Sequence, residues 1–381
     1  MEQQSVPQQN SMLPFEFSGK GSEYFSIWIV NIALTIITLG IYSAWAKVRK
    51  MQYLYRNTSL AGSSFDYHGN PIAILKGRAI AFTAIVGVQL ASQFAPAIGG
   101  LLMLALVAIM PWMIKRSFQF KLHNSSYRGL RFKFDGSTGG AYRAFLFIPL
   151  AGILIGGAVA VAAGSLVGAW AGGIAIVGGV LISLMLWRYA HHQIKHYQHD
   201  NSRFGATDFS FSAKPGQFYR VYLVAGLLGL VTLILFGIIL SGIVTGLIRD
   251  GAAGVRNPFT MILIGFLTMG FFAVYQAIVG PFIQARLQNV AWNNTKLGAH
   301  SFVSDVSARK LFFITFTNFI LIILTLGLYK PFATIRLLRY RLETMGLVPQ
   351  GSLEAFLAGQ TQQQSATGEE TAEMFDVDIS F

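Results

Sequence analysis

The chain has 381 residues, a formal net charge of +13 and a mean hydropathy of +0.52, with 53% hydrophobic and only 12% charged residues. Soluble domains carry about 25% charged residues, so this composition excludes an ordinary soluble protein and points to an integral membrane protein. The absence of cysteine excludes disulfides, thiolate metal sites and cysteine nucleophiles.

Residues 1–14 are polar and lack the basic start, apolar core and cleavage site of a secretory signal. They are expected to form a flexible tail. Residues 15–347 are expected to form a transmembrane domain built from repeats, opening on the aromatic and polar alternation Phe15-Glu16-Phe17. Apolar runs at residues 79–95, 98–114, 144–162, 167–186, 221–247 and 261–284 approach or exceed the ~20 helical residues that cross a ~30 Å hydrocarbon core. Two further runs, 24–46 and 311–329, lie at the two ends of the domain. Residues 348–381 are rich in small and polar residues and then acidic (Glu369, Glu370, Glu373, Asp376, Asp378). They are expected to be a disordered acidic tail, with the closing stretch a possible dock for a protein partner.

A unit recurs along the domain. Asn57-Thr58, Asn124-Ser125, Asn201-Ser202 and Asn294-Thr295 are each followed by a Gly (Gly62, Gly129, Gly205, Gly298) and then by Phe65, Phe132, Phe209 and Phe302, at one constant spacing. Repetition of this kind marks one supersecondary unit copied and packed together. The Asn-Ser/Thr-to-Gly segment suits a turn, and the aromatic alternation after it suits a half-buried strand. Each unit therefore reads as a short hairpin, several of which share a sheet or an aromatic cluster.

Most of the 29 Lys and Arg residues fall in four loops, 47–78, 115–143, 188–220 and 286–310, that carry these units. That bias places the repeat loops, and with them both termini, in the cytoplasm. Membrane contact explains the charge, and nucleic acid is not an expected partner. Cytoplasmic ends require the two terminal runs to be re-entrant, each bending at its Thr-Leu-Gly (Thr38 to Gly40 and Thr325 to Gly327). Simple crossings give eight spans instead of six.

Four groups of residues carry possible chemistry. Asn31 and Asn318, with Thr38 and Thr325 seven residues later, occupy matched positions in the two terminal runs and are candidates for a substrate path. Trp45 and Arg49, Trp112 and Arg116, Phe282 and Arg286, and Phe332 and Arg336 place an aromatic ring and a guanidinium on one helical face. This is an interfacial anchor, and Arg49, Arg116, Arg286, Arg336, Trp45 and Trp112 are candidates for holding a lipid headgroup. His192, His196 and His199, with Asp200, share one helical face and are the only candidate metal site. The Gly residues near 152–179 read as close helix packing.

The run Phe15-Glu16-Phe17-Ser18-Gly19, Glu23-Tyr24-Phe25, Thr38-Leu39-Gly40-Ile41-Tyr42 and Trp45-Ala46-Lys47-Val48-Arg49, continued through Asn57-Thr58, Phe65-Asp66-Tyr67-His68-Gly69 and Gly77-Arg78, resembles the YjgN-like family of bacterial inner-membrane proteins. The resemblance covers about residues 14–347. It implies a multi-pass fold in the bacterial inner membrane and supplies no catalytic residues, because the family has no established activity.

The expected fold is mainly α: a polytopic transmembrane helical protein with internal pseudo-repeats and short cytoplasmic β-hairpins. The leading functional expectation is transport or binding of a small molecule or lipid without proton coupling, since no acidic residue falls inside a full crossing. The alternatives are an assembly factor that recruits partners through the hairpins, and a membrane metal enzyme using the histidines. No cofactor is expected apart from that metal, membrane lipids are the expected partners, and oligomeric state is left open.

Overall fold

The computed structural model describes residues 12–166, 168–249 and 258–362. The acidic run beyond residue 368 and most of the N-terminal tail lie outside the described residues. In chain order the elements are β1 (Leu13–Phe17), α1 (Gly21–Ile37), α2 (Ser43–Arg56), β2 (Thr58–Leu60), β3 (Ser63–Tyr67), α3 (Pro71–Phe94), α4 (Pro96–His123), β4 (Ser125–Tyr127) and β5 (Leu130–Phe134). There follow α5 (Thr138–Tyr142), a π-helical turn over Arg143–Phe147, α6 (Ile148–Leu166), α7 (Gly168–Asp200), β6 (Ser202–Phe204), β7 (Thr207–Phe211), α8 (Pro215–Arg249) and α9 (Pro258–Asn293). The chain continues through β8 (Thr295–Leu297), β9 (His300–Ser304), α10 (Ala308–Leu324), α11 (Lys330–Glu343) and β10 (Met345–Val348). A last helix, α12, spans residues 353–362.

The repeated Asn-Ser/Thr pair ends helices. Each Asn side chain donates to the carbonyl four residues back, at Tyr53, Phe120, Tyr197 and Val290. Each following hydroxyl does the same to Leu54, Lys121, Gln198 and Ala291. Two carbonyls of the last turn, orphaned by the helix end, are thereby satisfied and the chain passes directly into a strand. This corrects the expectation that the whole Asn-to-Gly segment is a turn: Asn and Ser favour caps and turns for the same reason, their short hydrogen-bonding side chains.

The turn itself is two residues long. Ala61-Gly62 and Arg128-Gly129 have positive φ at both positions (47° and 73°, 48° and 82°), the geometry of a type I′ turn, and Gly205 and Gly298 open the other two turns at 59° and 56°. These turns join β2 to β3, β4 to β5, β6 to β7 and β8 to β9 in antiparallel register. The remaining pairings, β1 with β2, β3 with β4, β5 with β6, β7 with β8 and β9 with β10, each bracket a pair of helices. Leu13 against Leu347 brings β1 to β10 and closes a ten-stranded barrel. Closure removes every sheet edge, which a free row of short hairpins leaves open.

The topology puts all helical pairs on one end of the barrel and all tight turns on the other. Both β1 and β10 reach the turn end with their outer termini, so the described chain begins and ends on that side. Among the described residues, five segments are long and apolar enough to cross a membrane: α3, α4, Thr138–Val159, Pro215–Gly246 and α9. In α6, Gly156 packs where a Cβ would collide with the Ser183 hydroxyl of α7, and that hydroxyl donates to the Gly152 carbonyl at 2.9 Å. Close packing is what the Gly-rich run is expected to give.

The two terminal runs are helical pairs with short arms. α1 and α10 have 17 residues and α2 and α11 have 14, below the ~20 needed to cross. The chain reverses at Leu39 and Gly40 (φ 49° and 92°) and at Leu326 and Gly327 (φ 49° and 93°). Thr38 and Thr325 close the reversals by accepting from the Tyr42 and Tyr329 amides at 2.9 Å. Leu39 and Leu326, at the tips, are each 95% exposed.

Candidate functional site

Every strand of the barrel turns one apolar side chain inward: Phe15, Leu60, Phe65, Tyr127, Phe132, Phe204, Phe209, Leu297, Phe302 and Leu347 line one cavity. Strand alternation sends their neighbours Glu16, Lys133, Ser210 and Val303 outward to exposed positions. Phe15, Phe65, Phe132, Phe209 and Phe302 follow one another around the wall, with successive ring centroids 6.1 to 6.5 Å apart. The Tyr127 hydroxyl is satisfied by the Leu60 carbonyl at 2.6 Å, and burial raises its pKa. What is left inside is an apolar chamber of about 170 Å³.

Helices contribute to both ends of the chamber. At the turn end α12 inserts Leu353, Phe356 and Leu357. Phe356 meets the His300 ring edge-on at 4.5 Å, His300 Nδ1 accepts from the Gln350 amide, and Gln360 accepts from the Ala206 amide at 2.7 Å. At the helix end Trp292 of α9 forms the floor and packs edge-on against His199 at 5.4 Å. Burial, helped by the charge of Lys195, pulls the His199 pKa down to about 4. Lys195 is itself lowered, first by burial and then by the nearby cations Lys121 and Arg341. An apolar chamber thus stands over a floor region that is basic.

The residues singled out from sequence fall elsewhere. Asn31 and Asn318 are both buried, at 7% and 5% exposure, in the separate α1–α2 and α10–α11 pairs. Arg116 and Arg286 lie over the rings of Trp112 and Phe282 (5.6 and 5.8 Å), the pairing expected from the helical spacing. Arg49 departs from it, covering Tyr42 while Trp45 stacks on the same ring. Arg336 donates to Thr317 and Asn318.

The histidine face does not converge. His192 Nε2 bonds the Ala213 carbonyl, His196 faces Asp200 at 3.7 Å, and His199 Nδ1 bonds Thr295. The Asp200 carboxylate also accepts from the Phe211 amide. Among the described residues no three His, Asp or Glu side chains gather as metal ligands. His192 and His199 instead bond a neighbouring loop and strand, whereas His196 pairs within α7 and only packs edge-on against Phe211 of β7.

The chamber itself was only half legible. The Phe of each unit stood out, whereas Leu60, Tyr127, Phe204, Leu297 and Leu347 sit on strands too short to show alternation. The signal that finds α12 is the helical spacing of Leu353, Phe356 and Leu357 inside a polar stretch.

The model of a family described as a bacterial protein of unknown function, DUF898, matches residues 12–374. The chain is 26% identical over 365 residues, 89% of each chain, to the inner membrane protein YjgN of Salmonella typhimurium. It is 34% identical over 143 residues, 36% of this chain and 34% of the relative, to the protein of the same name from Escherichia coli O157:H7. No solved structure matches.

Proposed function

The chain belongs to the DUF898 family of bacterial proteins, whose relatives are inner membrane proteins, and we propose that it binds a small anionic amphiphile, apolar end in the barrel and charged end toward Lys195. The observation that carries this reading is the chamber: the ten strands of a closed barrel each commit an apolar side chain to an interior that is not filled. An engineered apolar cavity of about 150 Å³ stays dry and takes up benzene, so a space of this kind favours an apolar occupant over water. Lys195, which feels the charges of Lys121 and Arg341 and lies near His199, itself packed against Trp292, favours an occupant with a negative head. Binding is a role without a chemical step, and no proton-coupled step is assigned to it.

Under this reading the barrel and both termini are cytoplasmic, with six full crossings and two re-entrant pairs, and the bias of basic residues to the repeat loops supports it. The repeated units are then five copies of a strand, helical pair and strand around one axis. The test is fluorescence of Trp292 in a chain whose other Trp residues are replaced by Phe, titrated with decanoate. The expected result is a saturable change that Leu60→Phe with Leu297→Phe, which fill the chamber, abolishes. An unchanged titration in that variant contradicts the reading. If decanoate has no effect but an added protein segment displaces α12, the barrel is a docking module and the assembly-factor reading takes its place.

A further inference from the structure

The two short helical pairs share the Thr-Leu-Gly reversal and an Asn at the same place, yet they use that Asn differently. Asn318 is satisfied: its Nδ2 donates to the Ala333 carbonyl at 3.3 Å and its Oδ1 accepts from Arg336 at 3.4 Å. Asn31 is equally buried, and its Oδ1 has no partner. A buried acceptor without a donor costs the full desolvation of that group. Asn31 lines a groove of about 530 Å³ between α1, α2 and α11, open on one side.

The same groove collects Lys47, Lys50 and Lys330, from α2 and α11. Among the described residues none of the three ammonium groups has an ion pair or hydrogen bond, and no acidic residue lines the groove. Glu23, on the same helix as Asn31, is engaged by Lys20 at 3.6 Å and by Tyr53 at 3.1 Å. Trp28, Ile32 and Ile36 supply an apolar wall.

Height within the membrane is set by the barrel. At about 1.5 Å per residue, Lys47 stands ~14 Å along α2 from its barrel end, and Lys115 stands ~12 Å along α4 from its own. Above Lys115 helix α4 turns apolar, so Lys47 lies level with the polar boundary of the bilayer, where headgroups sit, and Lys330, ~20 Å along α11, stands above it and reaches down into the groove.

We propose that this groove holds the headgroup of an anionic phospholipid, its phosphate on Lys47, Lys50 and Lys330. A hydroxyl of the headgroup donates to Asn31 Oδ1, and the first part of the acyl chain lies along Trp28 and Ile32. The orphaned acceptor makes the choice of class: phosphate alone satisfies the lysines, whereas a glycerol headgroup satisfies the lysines and Asn31 together. The site is separate from the barrel chamber and does not depend on what that chamber binds.

Native mass spectrometry of the full chain released from nanodiscs tests it, with phosphatidylglycerol and phosphatidylcholine as competing probes. The chain is expected to retain phosphatidylglycerol at least about tenfold over phosphatidylcholine, well within what three lysines near an anionic group supply. Lys47→Gln with Lys50→Gln and Lys330→Gln should remove that preference, while the corresponding three Lys→Arg changes keep it and report that the fold survives. Asn31→Leu should lower phosphatidylglycerol retention severalfold and leave phosphatidic acid, which lacks the glycerol hydroxyls, unaffected. Leu60→Phe with Leu297→Phe should change nothing here, which separates this site from the chamber. Equal preference in the Gln variant overturns the proposal. Displacement of phosphatidylglycerol by equimolar glycerol 3-phosphate overturns the lipid assignment by placing the phosphate source in solution.

Discussion

At the scale of single residues, the most regular feature of the chain is its helix-ending Asn and Ser/Thr pair. The sequence displays the pair and its constant distance to the inward Phe, but a cap and a turn draw on the same residue types. What separates them is the carbonyl partner four residues back, which only the folded helix provides. Replacing Asn124 by Ala removes one bond to an otherwise orphaned carbonyl and should cost about 1 kcal/mol, seen as a lower thermal midpoint in detergent. His199 gives a second prediction. It is held neutral beneath the barrel with its pKa pulled down to about 4, so the unfolded chain binds the proton first. Stability from this site is complete above the unfolded pKa of about 6.5 and is lost as pH falls from there toward 4. A His199→Gln variant should flatten this part of the stability profile; an unchanged acid slope contradicts the assignment.

At the scale of elements, α12 was hidden by composition. Residues 348–381 read as a tail because Gln, Ser, Thr and Gly dominate, yet three apolar residues at helical spacing seat residues 353–362 in the barrel mouth. The reason is local: a short helix needs only one apolar edge when the receiving surface is already built. The native chain has no cysteine, so a single introduced one reports access cleanly. Phe302→Cys is expected to react slowly with a membrane-impermeant thiol reagent, and at least about tenfold faster when the chain stops at Gln350, since burial controls thiol access. Equal rates mean that α12 does not seal the chamber. The short helical pairs were more legible, because the charge bias asked for a return and Thr-Leu-Gly supplied the place to bend. The arm lengths and the positive φ at Leu39 and Leu326 agree with a reversal there.

At the scale of the whole molecule, membrane class, long apolar helices and the positions of the inward Phe residues were readable, but barrel closure was not. Closure depends on β1 meeting β10 across nearly the full chain, and on three-residue strands whose pattern is too short to see. The histidine face shows the reverse case, a strong local pattern that tertiary packing distributes among unrelated partners. The topology predicts that reporters fused to the two termini respond on the same side of the membrane, and the proposed orientation predicts that this side is the cytoplasm. Signals on opposite sides break the barrel connectivity. The central claim is that the barrel is a chamber for an apolar occupant, and titration of decanoate against the single remaining Trp292 tests it most directly. The account predicts a saturable change that the Leu60→Phe and Leu297→Phe pair removes and that truncation at Gln350 accelerates. A response identical in the filled and unfilled chains would contradict it.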